Sequence, residues 1–388
     1  MDYYIERLNH ELRHIVEFWQ KFAVKNNQIA PQVSNIGQSY YDAPLGSIYL
    51  SRLLFGSSAA CMHLQDSTFK YIADLAYRTL RNQLSNPGGG YYWAVDKNGR
   101  IVHDHENCSM VQAFVVNGLS QYYALTGDED VKKDIFRQID FIENKIKHFI
   151  DNSYLDGFEE DWTPAKNQYK SLATHLHLLE AYVKFIEVSD NVIYKRSIGK
   201  LLELLIYRFV NKGNGEMIHK FNSSWKALPN ENWIGHNVEA AWIIYKSARL
   251  VEDIDLLRES ETILFSLCDH AIELGFDRQY GGMFNRFIND EAITTNKEWW
   301  AQSESVIAFL YAHHVSNDKK YLSYAIRLLE YIDNTFSDQE NGEWFDSVTR
   351  EGKPITNLPK LHLWKSMYHN VRYCIESVKH LQQLFVSV

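Results

Sequence analysis

The chain has 388 residues, a formal net charge of −9 and 14% aromatic residues, ten of them Trp. Forty Lys and Arg against 49 Asp and Glu leave no basic excess for neutralising phosphates, which argues against a nucleic-acid partner. Gly and Pro together number 26, about 7% of the chain, which argues against both a turn-rich all-β protein and disorder.

The first segment, MDYYIERLNHELRHIVEFW, is charged and helical in period, unlike a signal peptide. Apolar residues at i, i+3, i+4 and i+7 then predict helices over 45–62, 68–83, 109–125, 135–150, 172–188, 198–210, 237–251, 256–274, 302–315, 321–336 and 370–385. No apolar run is long enough to span a bilayer. Cys61, Cys108, Cys268 and Cys374 are far apart and form no CxxC, so neither a zinc ribbon nor a disulfide framework is expected, and the cytoplasm is the expected compartment. No Pro- or Ser-rich linker divides the helices, which predicts a single domain over 1–388.

A Gly-aromatic or Gly-Met pattern recurs between helix pairs. Taken at Gly90, Gly157, Gly215, Gly282 and Gly342, it returns after 67, 58, 67 and 60 residues. Alternating residues before a Gly turn read as small hairpins. A unit of two helices and a hairpin near 63 residues fits about six times into 388. The expected fold is therefore all-α: an (α/α)6 barrel of about twelve helices with short β-hairpins at one end.

Unusual polar and aromatic residues follow the same period at the starts of alternate helices. From Arg52 through Gln112, His177, His236 and Trp299 to His369 the steps are 60, 65, 59, 63 and 70. In a closed ring those starts converge on one axial, aromatic-lined pocket suited to a small molecule. His236 and Glu239, His177 and Glu180, and His369 and Arg372 are three apart, on one helix face, and Trp300 and Glu304 are four apart. His175 and His177 are two apart, so only one of them faces the axis. His103 and His105 form a loop pair without a third metal ligand, and no metal is expected.

No GxGxxG, GxxxxGK or GxSxG is present, so no nucleotide cofactor or elbow nucleophile is expected. Imidazoles can take and return a carbon-bound proton, and Arg with His can stabilise an enediolate. Aromatic faces suit sugar rings. Proton return to the other face of C2 is epimerisation, and return to C1 is aldose–ketose isomerisation.

THLHLLEAY (174–182), GHNVEAAW (235–242), EWWAQSE (298–304) and WKSMYHN (364–370) together resemble the N-acylglucosamine 2-epimerase superfamily, nearest its cellobiose and mannose 2-epimerase branch. YYALTGD (122–128) and the Gly281-Gly282 return also fit, and the resemblance spans roughly 45–385. It implies an (α/α)6 barrel acting on free sugars without an essential metal or nucleotide. His369 and His236 would be the acid/base pair at C2. His177 and Arg52 would hold the C1 or C2 oxygen, and Glu239 would orient His236. Trp299, Trp300, Trp364, Tyr368, Glu304 and Gln112 would bind the sugar. Ala173 replaces an Asn, Met110 a Tyr, and Phe55 a Trp of the family pattern, and residues 25–46 differ at the mouth. These changes remove polar sugar contacts and favour a monosaccharide, D-mannose/D-glucose first, with cellobiose or mannobiose epimerisation and mannose–fructose isomerisation as alternatives. An (α/α)6 glycoside hydrolase using Glu239 and Glu304 would leave the three His idle. A sugar-binding protein is the non-enzymatic alternative. A monomer or homodimer is expected, with no membrane partner.

Overall fold

In the computed structural model, which describes residues 1–189, 192–211, 213–229 and 231–386, twelve α-helices alternate between an inner and an outer ring. The inner helices are α2 (Ser47–Leu64), α4 (Cys108–Thr126), α6 (Leu172–Ser189), α8 (Ile234–Val251), α10 (Trp299–Ser316) and α12 (His369–Val386). Each packs on the next, and α12 packs back on α2 to close the ring. The outer helices are α1 (Asp2–Phe18), α3 (Lys70–Thr79), α5 (Glu129–Phe141), α7 (Lys195–Leu204), α9 (Ile254–His270) and α11 (Lys319–Thr335). Helix α1, first in the chain, covers α12, the last. The expected (α/α)6 barrel is the observed fold. No helix among the described residues is long and apolar enough to cross a membrane.

Burial separates the two rings as their sequences dictate. Fifteen of the 18 residues of α2 are buried, so it is wrapped all round. In α11 only six of 17 are buried, Tyr321, Ala325, Leu328, Leu329, Tyr331 and Ile332, which form a single stripe.

Inner and outer helices meet at one repeated corner. Helices α4, α8 and α10 end on left-handed Gly127, Glu252 and Asn317. The next residue in each case, Asp128, Asp253 or Asp318, caps the following outer helix by accepting from its first backbone N–H groups. The TGD of the fourth helix is this corner written in sequence. At the other end, α1, α3, α5, α7 and α9 finish in a five-residue π-turn and then drop into a hairpin.

The hairpins explain the Gly period. Gly90 has φ +73°, and a Cβ there would lie 2.7 Å from the Phe141 ring on α5. Gly282 has φ +75°, and a Cβ there would collide with the Tyr331 ring on α11. The bare backbone must press on the neighbouring outer helix, which only Gly allows.

A second repeated device escaped the sequence reading. Fully buried Lys170, Lys297 and Lys360 each donate to a hairpin aspartate, Asp151 at 2.5 Å, Asp277 at 3.1 Å and Asp338 at 2.6 Å. Lys360 also donates to Gly342 O at 2.5 Å, tying the turn to the segment before α12. Replacing Lys360 by Met strands Asp338 in the interior. Urea unfolding is expected to show a loss of about 3–5 kcal/mol.

Candidate active site

The starts of the inner helices and the hairpin loops enclose a cavity of about 620 Å³. Eight of the sequence candidates line it. Arg52 comes from α2, His177 from α6, and His236 and Glu239 from α8. Trp299 and Trp300 open α10, His369 opens α12, and Trp364 stands just before it. His175 turns outward: its Nε2 accepts from Tyr154 N at 3.1 Å and its Nδ1 donates to Ser171 O at 2.7 Å.

Beneath the cavity floor lies a buried ion network centred on Arg372. Its Nη1 donates to Glu180 Oε1 at 2.7 Å, and its Nη2 donates to Glu239 Oε1 and Glu304 Oε1, both at 2.6 Å. Tyr368 Oη donates to Glu180 at 2.5 Å, and Trp242 Nε1 donates to Glu304 Oε2 at 3.0 Å. Glu239, Glu304 and His369 also bring three metal-type ligand atoms within 4.8 Å of one another, and the Arg372 guanidinium is the cation among them.

Two cavity histidines hang from this network. His369 Nδ1 donates to Glu304 Oε1 at 2.7 Å, and His177 Nδ1 faces Glu180 Oε2 at 3.3 Å. A carboxylate only accepts, so each neutral ring carries its proton on Nδ1 and keeps the Nε2 lone pair for the substrate. Burial pushes His369 well below its ordinary value, against the upward pull of Glu239. It therefore rests neutral, as a base must. Burial also pushes Glu180 up, but Arg372 and His177 overcome it and hold Glu180 far below the usual carboxylate range. Burial wins at Glu304, whose carboxyl stays raised beside Arg372.

His236 is held differently. The rings of Trp300, Trp233 and His219 surround it at 4.9, 5.4 and 5.5 Å between centroids. Burial, reinforced by His219, His177 and His369, drives it well below its ordinary value. Arg52 lies over the Phe114 ring at 4.4 Å and donates through Nη1 to Trp364 O. Its Nε is buried without a partner, and burial brings the guanidinium down to about 10, so it stays charged near neutrality.

Three sequence candidates stand away from the cavity wall. Gln112 is fully buried and clamps the hairpin, accepting from Tyr91 N and donating to Tyr91 O, each at 2.9 Å. Gln302 grips Met283 in the same way, at 2.7 and 2.9 Å, so this position repeats as a structural device and not as a sugar contact. Glu304 and Tyr368 are fully buried behind His369 and His177, in the network. Glu239 reaches the cavity, but its partner is Arg372 and not His236.

Sequence reasoning left other groups out of the site. Glu180 and Arg372 were visible only as the i+3 neighbours of His177 and His369. Hairpin residues Glu298, Asp346 and His362 also line the cavity. His362 Nε2 lies 2.9 Å from Asp346 Oδ2, and Glu298 Oε2 accepts from Trp300 Nε1 at 2.9 Å. Burial lifts Asp156 to about 7 against hydrogen bonds from Thr174 and Ser171, and its Oδ2 has no partner. A carboxyl in that state can donate to a sugar hydroxyl. Ala173 and Met110 are apolar parts of the wall, whereas Phe55 packs on Tyr368 at 5.1 Å, outside it. The segment 25–46 acts at the mouth indirectly, since Val33 pairs with Leu361 and Asn35 donates to Leu358 O at 2.6 Å.

The chain is similar in sequence and in fold to known proteins. The N-acylglucosamine 2-epimerase family profile matches residues 32–372. A cellobiose 2-epimerase of Dictyoglomus turgidum is 28% identical, over 97% of each chain. The solved cellobiose 2-epimerase of Bacillus thermoamylovorans superposes with a TM-score of 0.89 at 26% identity, covering 98% of this chain and 100% of its own. A D-mannose isomerase structure at 20% identity shares the fold, with a TM-score of 0.88 over 96% of this chain and 97% of its own. The chain belongs to the N-acylglucosamine 2-epimerase family and is an enzyme of the epimerase type, within the isomerases.

Proposed function

We propose that the chain interconverts free aldoses epimeric at C2, with D-mannose and D-glucose as the first pair. The observation that carries this reading is the placement of two cavity imidazoles, from two different helices, against one indole. His236 and His369 meet the Trp300 ring at 4.9 and 5.8 Å. Two bases flanking one site can serve opposite faces of a single carbon.

Ring opening comes first, because a pyranose has no acidic C2 proton: the imidazole opposite the C2 base, neutral at rest, takes the O1 proton and becomes an imidazolium, the C1–O5 bond breaks, and the ring oxygen takes a proton from solvent. In the open aldehyde one imidazole Nε2 takes the C2 proton. The bonding pair moves into the C1–C2 bond, and the carbonyl pair moves onto O1. Arg52 donates to that oxyanion, and His177, whose Nε2 keeps its lone pair, accepts from the neighbouring C2 hydroxyl. The opposite imidazole, as its conjugate acid, then returns a proton to the other face of C2 and the pair collapses back to the aldehyde. Glu304 stabilises the imidazolium formed on His369, and Arg372 keeps Glu304 in place. Each chain encloses a complete cavity, so a monomer carries the activity whether or not two copies associate.

Met110 and Ala173 make the inner wall apolar and favour a small substrate. A second reading is 2-epimerisation of the reducing sugar of cellobiose. It is favoured by Trp364, 43% exposed at the mouth and 5.1 Å from the Trp93 ring, which offers a platform for a second sugar ring. Initial rates on D-mannose, D-glucose, cellobiose and N-acetylglucosamine, with products separated by chromatography, test both. The expected result is mannose–glucose interconversion with the highest kcat/KM. A higher kcat/KM on cellobiose moves the assignment to the disaccharide, and fructose as the main product of mannose overturns epimerisation.

A further inference from the structure

We propose that the cavity rim carries a site for a divalent transition metal, formed by His103, His105 and Glu159. One ligand-type atom from each lies within 4.8 Å of the others. A tetrahedral zinc with ligands at 2.0–2.2 Å spaces them about 3.3 Å apart. His105 Nδ1 and Glu159 Oε2 are already 3.1 Å apart, and their side chains, 60% and 46% exposed, are free to adjust.

His103 has the hydrogen-bonding state a ligand needs. Its Nε2 lies 2.8 Å from Phe158 O. A carbonyl only accepts, so Nε2 carries the proton and Nδ1 keeps its lone pair. Metal-bound imidazoles are held by such a bond from the far nitrogen. The two rings meet edge to face, with centroids 4.4 Å apart.

Both loops are set before any metal arrives. Asp104 Oδ1 accepts from Glu106 N at 2.9 Å and Asn107 N at 3.1 Å, which fixes the turn after His103. Opposite it, Glu159 sits in a turn closed by its N–H to Thr163 O and by Trp162 N–H to Glu159 O, at 2.9 and 3.0 Å. A Cβ on Gly157 would lie 2.7 Å from His105 O, so the loops touch. Two imidazoles and one carboxylate, with solvent at the fourth position, suit zinc and its first-row neighbours better than magnesium or calcium. Glu106 and Asn107, next in the chain, line the cavity, as does Asp156. The metal would staple the two loops that frame this side of the mouth, apart from the His369 and His236 chemistry.

Chelator-stripped protein titrated with zinc chloride in a calorimeter near neutral pH tests this. One site per chain with micromolar affinity is expected, and zinc is expected to raise the melting temperature. His105→Ala and Glu159→Gln are each expected to weaken binding by about 10-fold or more, with circular dichroism unchanged. His10 and His14, whose rings stand 6.1 Å apart on α1, are a rival histidine pair, and their double Ala variant is expected to bind zinc as the parent does. No measurable zinc binding, or binding that persists in the His105→Ala, Glu159→Gln double variant, overturns the proposal. An unchanged melting temperature with zinc bound overturns the staple.

Discussion

His369→Asn is expected to lower kcat for the interconversion of mannose and glucose by about 10²- to 10⁴-fold, the usual worth of a positioned proton-transfer group. KM is expected to change little, because the Trp and Arg52 walls remain. The choice of Asn matters. Its side-chain amide can donate to Glu304 Oε1, as His369 Nδ1 does at 2.7 Å, so the network stays paired and only the Nε2 base is lost. A melting temperature close to that of the parent separates lost chemistry from lost structure. The pH profile gives a second check. Since burial holds His369 well below its ordinary value, the parent's kcat/KM is expected to stay flat as pH falls through about 6.5 and to drop only at lower pH. Stability behaves alike: buried His175, His219 and His380 are each lowered to about 4 by burial. The stability they contribute is complete above the unfolded value of about 6.5 and is lost as pH falls towards 4.

Arg372→Met is expected to destabilise the barrel by at least about 3–5 kcal/mol, because it leaves Glu180, Glu239 and Glu304 buried without their cation. Activity is expected to collapse with it, since Glu180 and Glu304 orient His177 and His369. The signature that identifies the cause is its pH dependence. Without the guanidinium, burial lifts the three carboxyls above their unfolded value of about 4.3. Groups raised in the folded state bind more protons there, so the variant gains stability as pH falls. The deficit relative to the parent, from urea unfolding at each pH, is therefore expected to be larger near pH 8 than near pH 5.5. Equal deficits at the two pH values would show that Arg372 acts by packing and not by charge.

Much of the fold could be read from the chain because each ring has its own code. The stretch 172–188 was predicted and Leu172–Ser189 is observed; 302–315 was predicted and Trp299–Ser316 is observed. Errors fell where apolar period and helix part company. Helix α5 begins at Glu129, six residues before the predicted start, because its first turn is charged apart from buried Val131 and rests on the Asp128 cap. Predicted ends at 83, 210 and 274 run into π-turns, which keep helical composition while changing the hydrogen-bond register. Within the site, the period found Arg52, His177, His236 and His369 because ring closure superimposes helix starts. The same period misled at Gln112, since a helix start also faces its own hairpin. The Arg372 network could not be seen, because its three carboxylates come from three helices and only the closed ring shows that they share one cation. Glu298, Asp346 and His362 sit in the hairpin segments, where no helical period operates.

Two imidazoles acting on opposite faces of C2 leave an isotopic signature. Proton NMR of D-mannose with enzyme in deuterium oxide tests it at early times, before the reverse reaction contributes. D-glucose carrying deuterium at C2 is expected while the remaining mannose keeps its C2 proton, because one base removes the proton and the other delivers a solvent deuteron. Glucose that retains the original proton, or neither glucose nor C2 exchange in any sugar, would contradict it.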